Sequence, residues 1–193
     1  MLDLGSSTLI GKGLHRECFE HPDDASLCVK IVVAGNSDEN QREAKYYGQL
    51  ARRGISWDML TRFHGLVETK RGTAAVFDLV RDMDGAVSLP LEHYLESADL
   101  TAKFEQQIGD ALAELRAYLL ENRIVTMTLK PKNIVYQRWG VAAGRLVIVD
   151  NVGNSDFLPL SQYSGFLARQ KIKRKWRRFE QLIASQAGAV KPR

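Results

Sequence analysis

Apolar and polar positions alternate along the first third of the chain, which predicts short β-strands. Ser7–Gly11 (STLIG) is β-prone. The run RECFEHPDDASLCVKIVV gives two strands around a His-Pro-Asp-Asp turn, and Gly11-Lys12-Gly13 forms a glycine turn before them. In LCVKIV the pleat puts Leu27, Val29 and Ile31 on one face and Cys28, Lys30 and Val32 on the other. DENQREAKYYGQLARRG then changes to helical spacing, with Asp38 as cap, Gln41 three residues on and Gly54 as stop. FHGLVETKRGTAAVFDLV returns to strand character as a hairpin turning at Lys-Arg-Gly.

The second half is mostly helical. From about Asp99 to Asn122, Phe104, Ile108, Ala111, Leu112, Leu115 and Leu119 recur at three- and four-residue steps and make one buried face. NIVYQRWGVAAGRLVIVD reads as a hairpin, and a last helix runs from about Leu160 to Gln186. Strands first and helices later predict an α+β fold. The break lies near Met83–Pro90, dividing the single domain of residues 1–193 into an N-lobe (1–82) and a C-lobe (83–193). A cleft at such a joint is a usual ligand site.

The chain has 193 residues, 45% of them hydrophobic, enough for a real core. A net charge of +4 is too small for a dedicated nucleic-acid binder, so a nucleic-acid partner is not expected. Two cysteines, Cys18 and Cys28, make neither a disulfide framework nor a four-ligand zinc site. No apolar run is long enough to span a membrane. The expectation is a cytoplasmic protein with reduced thiols.

Several polar residues acquire meaning from their order. A glycine turn between strands (Gly11, Gly13) leaves backbone N–H groups room to approach phosphate oxygens. Lys30 on the following strand can neutralise phosphates, and Glu43 on the helix can hold that lysine. Asn133 in a loop and Asp150 after a strand offer the oxygen ligands that Mg²⁺ prefers. Singly, each has a plainer reading: a turn, a solvated lysine, an exposed glutamate, a cap.

In this order the residues resemble the protein-kinase fold. IGKGLHRECF resembles the glycine-rich loop, with Arg16 in place of its third glycine. LCVK resembles the strand ending in the ATP-contacting lysine, and REAKYY supplies its helix glutamate. LKPKN resembles the catalytic loop and VDNVG the metal-binding Asp-Phe-Gly. More narrowly, GLHRECFEHPDDASLCVKIV, REAKYYGQLARR, NRIVTMTLKPKNI and VDNVG resemble the bacterial PhoP regulatory network protein YrbL family, over roughly Leu9 to Phe179.

The resemblance implies a minimal bilobal protein-kinase-like fold, with an antiparallel β N-lobe and a truncated, mainly helical C-lobe. It implies ATP and Mg²⁺ as cofactors. Cys18 and Cys28 then roof the adenine, and the hinge Phe77, Asp78 and Leu79 meets its edge. Lys130 touches the terminal phosphate. Thr128 stands where the catalytic aspartate is expected, Met127 replaces the adjoining arginine, and no Ala-Pro-Glu motif follows. A general base contributes about 10²–10⁴-fold, roughly 3–5 kcal/mol, so an ordinary fast protein kinase is not expected.

The implied function is a kinase-like, ATP/Mg-binding regulatory protein, a pseudokinase or atypical kinase. One alternative is an atypical phosphotransferase acting on a small molecule or lipid-linked sugar. Another is a nucleotide-free scaffold acting through its last helix. That helix is basic and amphipathic, with Ile172, Trp176, Phe179 and Ile183 on one stripe. The stripe either packs on the Phe104–Leu119 helix or meets a regulatory protein partner through Lys173, Arg174, Trp176 and Arg177. An anionic membrane surface and RNA are the other readings of its charge.

Overall fold

The computed structural model describes residues 1–34, 38–140, 143–153 and 165–189. Asp38's capping side chain, the Leu160–Ser164 start expected for the last helix and the tail after Ala189 lie outside the described residues. The chain forms two compact units. One comprises Met1–Trp57 with Thr61–Val80, and the other Asp58–Leu60 with Arg81–Arg193.

The first unit is an antiparallel sheet and one helix. Its strands are β1 (Leu9–Lys12), β2 (Arg16–Glu20), β3 (Leu27–Val32), β4 (Phe63–Thr69) and β5 (Gly72–Asp78), in the order β1-β2-β3-β5-β4. The two alternating faces of β3 are both covered, for Cys28 through Ile31 are all buried. Val29 and Ile31 pack with Ala74, against Leu2, Leu4, Phe19 and Val67. On the opposite face lie Cys28, Lys30 and their β5 partners Phe77 and Ala75.

Helix α1 runs Asp38–Arg52 and ends at Gly54, whose φ of 62° is a conformation glycine adopts without steric cost. Tyr47 of α1 meets Trp57, Phe63 and Phe77, with ring centroids 5.3–6.0 Å apart. Burial of these rings, each removing a large apolar surface from water, anchors the helix on the sheet.

The second unit is mainly helical. Its elements are α2 (Leu91–Leu95), α3 (Ala98–Glu121), the hairpin β6 (Ile134–Arg138) and β7 (Gly144–Ile148), and α4 (Gly165–Ala189). Ser97 caps α3, its hydroxyl accepting from Leu100 N–H at 3.3 Å. The buried face of α3 is Phe104, Ile108, Ala111, Leu115, Tyr118 and Leu119, close to the expected stripe. Tyr94 joins Phe104 and Tyr136 edge to face.

Gly144 is needed where β7 begins. A Cβ there would lie 2.6 Å from both the Gln137 carbonyl oxygen and the Tyr136 ring. The turn Asp82–Ser88 is tied to β6 by one carboxylate. Asp82 accepts from Ser88 Oγ at 2.5 Å, Arg138 N–H at 3.0 Å and Arg138 Nε at 2.6 Å. Burial alone would raise this carboxyl's pKa, but those hydrogen bonds outweigh it and hold it below the ordinary value.

Among the described residues, no helix is long and apolar enough to cross a membrane.

Candidate functional site

In the first unit, antiparallel register gathers the expected nucleotide residues. Residues directly opposite one another share a sheet face. Gly11 pairs Cys18, Cys18 pairs Lys30, Cys28 pairs Phe77, and Lys30 pairs Ala75. Lys30 is buried, 7% exposed, with Nζ 4.4 Å from the centroid of the Phe77 ring. A ring face attracts a cation there and partly offsets the cost of burying the ammonium.

The glycine turn closes through Gly13 N–H donating to the Arg16 carbonyl at 2.8 Å. Neither Gly11 nor Gly13 has the positive φ that requires glycine. A Cβ at Gly11 would meet nothing within 4 Å. Backbone strain therefore does not explain Gly11, whereas open space above its backbone suits close approach by a ligand.

Glu43, 6% exposed, receives the Arg16 guanidinium at 2.5 Å. Arg16 stands at the third glycine position of the resembled loop. A cation on the strand hairpin thus holds the α1 carboxylate, a partner that the sequence reasoning missed. The signal lay in the substitution itself, since a charged residue replacing a glycine needs a partner when half-buried.

Cys18 and Cys28 lie diagonally on the same face. The neighbouring Cys18 thiol and burial push the Cys28 thiol well above its ordinary pKa. Both sulfurs remain free cysteines.

The expected hinge, Phe77, Asp78 and Leu79, lies at the end of β5. Phe77 is fully buried in β5, between β3 and β4. Asp78 N–H donates to the Arg62 carbonyl at 3.1 Å and Leu79 N–H to the Ser26 carbonyl at 2.7 Å. The Asp78 carboxylate takes His64 Nε2 at 2.6 Å and Arg62 N–H at 2.8 Å. The expected donors at Asp78 and Leu79 are thus spent inside the unit. Strand pairing, which the linear pattern does not reveal, uses them.

In the second unit, the β6–β7 ladder brings distant residues together. Ile134 pairs Ile148, and Val149 N–H donates to the Asn133 carbonyl at 3.0 Å. Asn133 and Asp150 therefore flank the same end of the ladder. Asn133 ends a 3₁₀ turn, Pro131–Asn133, and donates its own N–H to the Lys130 carbonyl at 2.9 Å.

Asn133 is 7% exposed, and its Nδ2 is buried without a hydrogen-bond partner among the described residues. A buried amide lacking a partner is costly unless an acceptor arrives. Turned over, the same amide presents an oxygen to a cation. Asp150 is half-buried, and one of its oxygens accepts Asn151 N–H at 2.8 Å. One amide and one carboxylate, completed by phosphate oxygens and water, suit Mg²⁺. Among the described residues no cluster of three or more His, Cys, Asp or Glu exists to hold a metal by itself.

Thr128 and Lys130 are exposed on the loop before this turn. Met127 N–H donates to the Asn151 carbonyl at 2.8 Å, and Thr126 bridges Val152, so the loop is stitched to the Asp150 segment. From the other side Lys175 of α4 donates to the Met127 carbonyl. Lys130 and Lys132 thus occupy a turn whose core residues, Leu129, Pro131 and Asn133, point inward while the lysines face water.

The last helix resolves its two readings. Ala168, Ile172, Trp176 and Phe179 are buried, and α3 and α4 pack together. Trp176 is 2% exposed, with its indole N–H donated to Glu180 at 2.7 Å. It packs in the core, as the first of the two readings of the stripe has it. Lys173, Arg174 and Arg177 remain exposed.

Comparison with known proteins gives one answer. The profile of the PhoP regulatory network protein YrbL family matches residues 2–183. Protein YrbL of Escherichia coli (strain K12) is 40% identical over 196 aligned positions, spanning 98% of this chain and 90% of the relative. YrbL of Shigella flexneri matches to the same extent. With one family profile along nearly its whole length, and relatives at this identity, the chain belongs to the PhoP regulatory network protein YrbL family.

Proposed function

We propose that this protein binds ATP with Mg²⁺ through kinase-like residues and serves as a regulatory protein with slow or absent phosphoryl transfer. The observation that carries the reading is the placing of Asn133 and Asp150 at one end of the β6–β7 ladder, with the buried Asn133 Nδ2 lacking a hydrogen-bond partner among the described residues. Asn133 and Asp150 hold the metal, which neutralises charge on the phosphate oxygens. Lys30 neutralises phosphate from its buried place on β3. Glu43, held by Arg16, fixes the α1 side of that arrangement. Lys130, exposed near Asn133, reaches the terminal phosphate.

Thr128 supplies a hydroxyl where a base is needed. A hydroxyl does not accept a proton near neutral pH as a carboxylate does, and the missing base costs roughly 3–5 kcal/mol of barrier. Phosphoryl transfer otherwise rests on positioning and charge neutralisation, so binding survives the loss. The regulatory role follows the family to which the chain belongs.

Calorimetry with ATP, with and without Mg²⁺, tests this. We expect micromolar affinity, about −8 kcal/mol, which needs Mg²⁺ and falls at least tenfold in Lys30→Ala and in Asp150→Ala. Circular dichroism checks that both variants fold. No heat at millimolar ATP would overturn the reading. ATP turnover abolished by Asp150→Ala would instead mark an active phosphotransferase.

A further inference from the structure

The packing of α4 on α3 buries one stripe of each helix but leaves a groove of about 320 Å³ beside the contact. Its floor is apolar and small-featured, formed by Gly109, Leu112 and Ala113 of α3 and by Ile183 and Ala184 of α4. Trp176 lines it too, with Glu180 turned to the indole N–H. A Cβ built on Gly109 meets nothing within 4 Å, so space remains above it.

The margin of the groove is cationic. Arg116 lines the α3 side. On α4, Lys173 and Arg177 stand one turn apart, and Arg177 precedes Ala184 by two turns, so both cations lie on the groove's outer edge. All three are exposed, and none has an ion-pair partner among the described residues. Arg169, Arg174 and Arg178 extend the basic surface along the same helix. Of the five acidic residues of α3, Asp110 and Glu114 fall about 100° or more round from Gly109, and Glu105, one turn before Gly109, lies beyond the lining, which leaves the groove floor apolar.

The charge is confined to this element. Seven of the chain's 27 basic residues and one of its 23 acidic residues lie on α4. The helix is thus net +6 and the remaining chain net −2. A polyanion that spreads beyond α4 gains no further net attraction. A short acidic segment stays on the helix. Ile172, Trp176 and Phe179 of the α4 stripe are already buried, which removes most of the continuous face an interfacial helix would insert into lipid and leaves Phe166, Leu167 and Leu182 as separate exposed apolar residues.

We propose that the α3–α4 groove binds an acidic amphipathic segment of a partner protein. Its apolar side chains enter the groove, and its carboxylates meet Lys173, Arg177 and Arg116. Helix-in-groove recognition combines these two contacts: apolar anchors supply affinity, and the charged margin supplies register and rate.

Fluorescence anisotropy on the full chain tests it with three labelled probes. The first is an 18-residue peptide of Leu, Ala and Glu with leucines at three- and four-residue steps. The second replaces those leucines by serine at equal charge. The third is a 12-nucleotide single-stranded DNA. The leucine peptide is expected to bind with micromolar affinity and the other two at least tenfold more weakly. Both the double variant Lys173→Glu/Arg177→Glu and the groove-filling Gly109→Leu should weaken the leucine peptide at least tenfold, with unchanged circular dichroism. The idea fails if the serine peptide or the DNA binds as tightly as the leucine peptide. It fails equally if the leucine peptide does not bind at about 1 mM, or if either folded variant keeps full affinity.

Discussion

At the scale of the residue, the most informative side chains are those whose partners come from elsewhere in the sequence. Asp82 is one. It has three donors, from Ser88 and from Arg138 twice. Asp82→Ala leaves the Ser88 hydroxyl and the Arg138 N–H without their acceptor, and we expect a loss of about 2–4 kcal/mol by equilibrium denaturation. The pH dependence has a definite sign. Because folding lowers this carboxyl's pKa, its contribution is complete above the unfolded value of about 4 and disappears as pH falls through the lowered folded value. Melting temperatures of wild type and Asp82→Asn should therefore differ at pH 7 and converge in acid. The sequence showed Lys30, Glu43, Asn133 and Asp150 as candidates by type and order alone. It did not show that Arg16 would hold Glu43, nor that Asp78 and Leu79 would spend their N–H groups on Arg62 and Ser26. Pairings of that kind depend on three-dimensional register, and periodicity carries no information about it.

At the scale of the element, the linear pattern was more complete. The three- and four-residue steps from Phe104 to Leu119 gave α3 and its buried face, and Gly54 marked the end of α1. One short element escaped. Helix α2, with five residues, is too brief for a period to register. For α3 the period gave a start near Asp99 and no cap; the cap is Ser97, two residues earlier, which accepts Leu100 N–H. Ser97→Ala removes one of the few partners available to the first-turn N–H groups. It should cost about 1 kcal/mol by thermal or urea denaturation, while Ser97→Asp should retain most of that stability. For α4 the period located the apolar stripe but could not say what covered it. The answer is that Trp176 and Phe179 are core residues, with α4 packed on α3.

At the scale of the whole molecule, the chain does not divide into two consecutive pieces. Asp58–Leu60 belongs to the second unit although the first resumes at Thr61. Leu60 is fully buried and bridges Ile148, and Ile148 N–H donates to the Met59 carbonyl at 2.9 Å. Composition and hydropathy place a boundary only where character changes along the chain, so a three-residue excursion leaves no trace in them. Leu60→Ala should lower stability by about 2–4 kcal/mol. It should also speed hydrogen exchange at the Ile148 amide more than at Val29 or Ile31, which lie in the other unit. Synthesis gives the excursion a further consequence. Leu60 leaves the ribosome 88 residues before its partner Ile148, a delay of about 4–18 s at ~5–20 residues per second. For that interval Met59 and Leu60, both buried in the folded protein, wait without the strand that will cover them.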